Sequence, residues 1–109
     1  MRLGLVLAAG LLAFGAGAAA AADEPTANLT LKDHQFVPQE LQIPSGVKVK
    51  LLVRNENPTT SEFESTALHR EKVVLSGEQI QVYVGPLSPG SYEFFDDFHP
   101  DTRGHLVVK

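Results

Sequence analysis

Carboxylates and imidazoles fall in two short stretches of this 109-residue chain, at spacings that could assemble a cation site. Glu62 and Glu64 are two apart, so on a strand both side chains face the same side. His69 follows shortly after them. Near the C-terminus Asp96, Asp97, His99 and Asp101 crowd a loop short enough to turn Asp96 and His99 inward together. Carboxylate with imidazole suits Fe(II), Fe(III), Mn(II), Zn(II) or Cu(II) better than Cu(I), which favours sulfur. Anionic oxygens hold the more highly charged ion more tightly, so such a site would lower the reduction potential of bound iron and ease its oxidation. The expected ligands are Glu62, Glu64, His69, Asp96 and His99. His105, expected to point outward at the start of the last strand, and His34, distant in sequence, are read as having no such role.

A plainer reading of the same residues stands beside this one. Asp96 would accept backbone N–H bonds from its own turn, as aspartate commonly does. Glu62 and Glu64 would pair with Arg70, Lys72 or Arg103 as surface ion pairs, worth about 0–1 kcal/mol each. Other chemistries leave no trace. There is no G-x-S-x-G, no H-E-x-x-H and no phosphate-binding glycine loop.

Short strands must position these side chains. Apolar residues alternate or cluster over 29–31, 41–43, 47–55, 62–65, 72–75, 79–84, 91–95 and 105–108, separated by Pro, Gly, Ser and Asn. No helical period appears in this part of the chain. About seven short strands at this spacing imply an all-β, two-sheet antiparallel sandwich. Its expected core is Leu29, Leu31, Phe36, Leu41, Ile43, Val47, Val49, Leu51, Val53, Ile80, Val82, Val84, Tyr92, Phe94, Leu106 and Val108.

The N-terminus sets the expected compartment. Arg2, an apolar run over 3–12 and small residues over 18–22 before Asp23-Glu24 form the pattern of a secretory signal peptide, 1–22, cut after Ala22. An uncleaved membrane anchor is the competing reading, but the second half of the segment is mostly Ala and Gly. Residues 23–28 then read as a flexible lead and 29–109 as one domain. With no cysteine, the chain has neither disulfides nor a lipidation site, and its core must hold by packing. A processed, unanchored periplasmic protein is expected. The net charge of −4 argues against a nucleic-acid or anionic-lipid surface.

Several fragments, in order, resemble the cupredoxin-like domains of small bacterial periplasmic proteins. Phe36-Val37-Pro38-Gln39-Glu40-Leu41-Gln42-Ile43-Pro44-Ser45-Gly46 is similar to the opening strands and turn, and Leu52-Val53-Arg54-Asn55 to the strand before the first metal ligand. Leu87-Ser88-Pro89-Gly90-Ser91-Tyr92-Glu93-Phe94 resembles the "L-x-P-G-x-Y-x-F" strand leading to the metal loop. Asp96-Asp97-Phe98-His99-Pro100 and Gly104-His105-Leu106-Val107-Val108 match that loop and the closing strand. More narrowly, Glu62-Phe63-Glu64-Ser65 with Leu68-His69-Arg70-Glu71-Lys72 resembles EfeO-type proteins, which are associated with uptake through a high-affinity ferrous iron permease.

The resemblance implies a Greek-key sandwich. It places the family's first histidine ligand at Glu62, the cysteine at Asp96, the second histidine at His99 and the methionine near Thr102. A blue-copper centre needs the thiolate, so this chain cannot make one. The implied function is a periplasmic protein that binds iron or Cu(II), or helps to oxidise iron, as an accessory to ferrous iron uptake. Its implied partners are the iron permease or another uptake component. Oxidation would be stoichiometric, with a membrane partner taking the electron, or would require a second protein. A metal-free binding module and a copper-handling electron carrier are the alternatives.

Overall fold

Strand alternation places every second side chain of two facing sheets in one apolar layer. The computed structural model describes residues 24–109, so the segment read as a signal peptide lies outside the described residues. In chain order the strands are β1 (Thr26–Lys32), β2 (Gln35–Val37), β3 (Glu40–Ile43), β4 (Val49–Asn55), β5 (Ser61–Ser65), β6 (Arg70–Val74), β7 (Gln79–Val84), β8 (Gly90–Asp96) and β9 (His99–Val108). One sheet has the order β2-β1-β4-β7 and the other β3-β9-β8-β5-β6. Pairing is antiparallel except between β1 and β4 and between β3 and β9, which run parallel. The start of β1 also differs from expectation. Pairing of Thr26 with Lys50 draws the end of the supposed lead into the sheet.

Valine and leucine on alternate positions of β1, β4 and β7 face Phe63, Phe94, Leu106 and Val108 across the sandwich. Phe36, Phe63 and Phe94 meet ring to ring, with centroids 4.8 Å apart for Phe36–Phe94 and 5.4 Å for Phe63–Phe94. Gly104 on β9 lets the Phe94 ring close in, since a Cβ there would lie 2.7 Å from that ring and 2.7 Å from the Gln39 carbonyl oxygen. Two expected core residues sit differently. Val47 precedes β4 and is exposed, while Tyr92 is half-buried with its hydroxyl donating to the Ser88 carbonyl. Phe63, Leu68 and Val74 join the core instead.

Candidate metal centre

The loop into β5 is tied down by Asn55, whose amide donates to the carbonyls of Thr59 and Val74 while its oxygen accepts from the Asn57 N–H. β5 then starts in a fixed phase. Ser61, Phe63 and Ser65 point into the sandwich and are almost wholly buried, which sends Glu62 and Glu64 to the outer face of the sheet. On that face Glu64 lies opposite Glu71 of β6 and Phe95 of β8.

Asp96, last in β8, points the other way and is 1% exposed. One carboxylate oxygen accepts the backbone N–H groups of Glu62 at 2.9 Å and Phe98 at 3.0 Å. The other lies 2.9 Å from Nδ1 of His99. The buried Ser61 hydroxyl faces the same group without reaching good hydrogen-bond geometry, and acts on it as a nearby dipole. Burial alone would push the Asp96 carboxyl up. The Ser61 hydroxyl, the two amides and His99 together outweigh it and hold the group below the usual carboxylate range. Asp96 thus closes the inward pocket by bonding β5, the β8–β9 turn and His99 together.

The next residue completes a different cluster. The Asp97 amide donates to the Glu62 carbonyl at 3.0 Å, fixing Asp97 beside β5. Oxygens of Glu62, Glu64 and Asp97 then lie within 4.8 Å of one another. Glu62 is only 9% exposed, and among the described residues no basic side chain pairs with its carboxyl, whose side-chain hydrogen-bond neighbour is another acid, Asp97. One Glu64 oxygen is buried without a partner. Burial pushes the Glu62 carboxyl above the usual range, and the charges of Glu71, Asp97 and Glu64 add to the effect. Glu64 is raised by desolvation and then by Asp97 and Glu71.

The basic residues expected to neutralise these acids are engaged elsewhere. Arg103 pairs with Glu93 at 3.0 Å and lies over the Phe95 ring. Arg70 donates to the carbonyls of Tyr83, Leu68 and His69, and Lys72 to that of Gln81. The structure therefore distributes the five expected ligands over three places. Glu62 and Glu64 meet Asp97 on the outer face, and Asp96 and His99 pair with each other toward the core. His69 sits in the β5–β6 turn, on the rim of a separate depression of about 260 Å³ that Glu64 also lines. Sequence reading missed that Asp97, rather than Asp96, shares a face with the glutamates. The signal was Phe63, whose core character sets the phase of β5.

Comparison with known proteins agrees with this architecture. A family model described as cupredoxin-like domain matches residues 5–108. An uncharacterised protein of Rickettsia prowazekii (strain Madrid E), RP394, is 47% identical over 81 residues, which cover 73% of this chain and 65% of that protein. The chain thus spans slightly under two thirds of that relative. Among solved structures, the metal-binding domain of the Cu(I)-exporting P-type ATPase CopA from Streptococcus pneumoniae D39 aligns with a TM-score of 0.69 at 13% identity, covering 80% of this chain and 96% of that one. Auracyanin A, a blue copper protein from Chloroflexus aurantiacus, aligns with a TM-score of 0.66 at 15% identity, covering 80% and 100%. Identities this low speak to the fold alone.

Proposed function

The chain belongs to the cupredoxin-like domain family, and we propose that it binds iron through Glu62, Glu64 and Asp97 as a periplasmic accessory to ferrous iron uptake. A thiolate copper centre does not fit the residues present. There is no cysteine, both oxygens of Asp96 are committed to hydrogen bonds, and the Thr102 hydroxyl donates to the His34 carbonyl at 2.7 Å. The inward position holds a hydrogen-bonded plug. Cation binding on this reading moves through the sheet, to the outer face of the same strands.

One observation carries the proposal: oxygens of Glu62, Glu64 and Asp97 converge with no basic side chain among them, and one Glu64 oxygen is buried without a partner. A buried carboxylate with no partner is costly, and a bound cation removes that cost together with the mutual repulsion of the three acids. Oxygen donors of this charge suit hard ions and hold Fe(III) above Fe(II). Loss of one electron from bound Fe(II) is thereby eased, the electron passing to an acceptor supplied by an uptake partner. Export and delivery to a high-affinity iron permease are supported by the N-terminal signal pattern and by the resemblance of residues 62–65 and 68–72 to EfeO-type proteins.

Equilibrium dialysis tests the reading, with Fe(II) under anaerobic conditions and with Fe(III) presented as citrate. About one iron per chain is expected, held more tightly as Fe(III), with affinity falling at least about tenfold in Glu62→Gln/Glu64→Gln. Equal binding by wild type and the double variant would overturn it.

A further inference from the structure

His34 sits in the turn between β1 and β2, 65 residues before His99, yet their ring centroids are 5.1 Å apart with planes inclined by 47°. Both residues are anchored through atoms other than the ring nitrogens that would be needed for a ligand. The His34 N–H donates to the Asn57 side-chain oxygen at 3.1 Å and its carbonyl accepts from the Thr102 hydroxyl, so the turn is pinned to β9. Nδ1 of His99 is taken up by an Asp96 oxygen 2.9 Å away, which leaves Nε2 as the ring nitrogen for a ligand. A carboxylate fixing one ring nitrogen while the other faces a cation is a recurrent support for metal-binding histidine. Both rings line an open depression of about 470 Å³ together with Phe98, Pro100, Asp101 and Thr102.

The ring spacing suits a shared ion. With a metal–nitrogen bond of about 2.0–2.1 Å and a ring nitrogen roughly 1.2 Å from its centroid, two imidazoles meeting one ion at ~109° have centroids about 5.2 Å apart. We infer that His34 and His99, with solvent from the open depression completing the coordination, form a second cation site for an imidazole-seeking divalent ion of the Zn(II) or Cu(II) class. This site is chemically distinct from the carboxylate cluster and does not depend on it. It is also distinct from a thiolate centre, since His34 belongs to the β1–β2 turn and Asp96, at the expected cysteine position, is taken up by hydrogen bonds with His99 and two backbone amides.

The test adds one equivalent of Cu(II) to the processed chain carrying Glu62→Gln, so that the carboxylate cluster is weakened, and records electron paramagnetic resonance. Coupling to two imidazole nitrogens is expected, and Zn(II) should displace the signal. His34→Asn is the informative variant because asparagine tolerates the left-handed backbone of position 34, where φ is 58°. It should reduce the coupling to one nitrogen and weaken binding at least about tenfold, while leaving iron binding at the carboxylate cluster unchanged in the otherwise wild-type chain. As a check that needs no variant, Zn(II) should shift the ring resonances of His34 and His99 together in the wild-type NMR spectrum. Two-nitrogen coupling retained by His34→Asn, or Zn(II) shifting neither ring, would overturn the site and leave a packed imidazole pair only.

Discussion

Replacing Glu62 with glutamine should make the metal-free protein more stable, although the side chain is nine-tenths buried in a fully formed strand. Oxygens of Glu62 and Asp97 lie within 4.8 Å. Two unit charges at that distance repel by about 0.9 kcal/mol with the dielectric of water and by about 3.5 kcal/mol at an effective value near 20. Asp97 is exposed, so the gain should sit near the lower figure, about 1 kcal/mol. For a domain of this size that is a rise of about 4–8 °C in the unfolding midpoint. The assay is thermal unfolding at pH 7 and low salt with a chelator present. The gain should also depend on pH. Burial and neighbouring acids raise the folded Glu62 pKa, so its penalty is absent below the unfolded value of about 4.3, grows as pH rises, and is complete above the folded value. The gap between variant and wild type should therefore close on acidification. A saturating cation should reverse the order, since ligand at about 100 times Kd adds about 2.7 kcal/mol to the protein that binds it. A Glu62→Gln protein no more stable than wild type at pH 7, with a gap indifferent to pH, would refute the reasoning.

Asp96 should behave in the opposite sense. Asp96→Ala strips the acceptor from two backbone amides and from His99, and should cost about 2–4 kcal/mol in urea unfolding; a cost below about 1 kcal/mol would contradict its role as the tie between β5 and the β8–β9 turn. Its folded pKa is lowered, so its contribution is present above the unfolded value of about 3.9 and is lost as pH falls through the folded value. Stability measured below pH 4 should accordingly fall less steeply in Asp96→Ala than in wild type.

Much of the sandwich was legible because β1, β4 and β7 alternate cleanly, and Leu29, Leu31, Val49, Leu51, Val53, Ile80, Val82 and Val84 are all buried. Phe63 was obscured by the acids on either side of it, yet it sets the phase of β5 and so turns Glu62 and Glu64 outward. The pairing of Glu62 with Asp96 in one site rested on loop proximity and ignored that phase. What joins Glu62 to Asp96 is a backbone amide, which no side-chain pattern encodes. Asp97 was visible as a candidate, but the irregular register at Phe95/Asp96 that sets the face it shares is a property of the folded hairpin. The approach of His34 to His99 was hidden for a similar reason, because it depends on the Thr102 bond spanning 68 residues.

Anomalous diffraction from crystals loaded with iron locates the cation directly. A peak touching oxygens of Glu62, Glu64 and Asp97 at about 2.0–2.3 Å is the predicted result. Iron lodged between Asp96 and Ser61, or iron-loaded crystals with no density at the three outer carboxylates, would contradict the account.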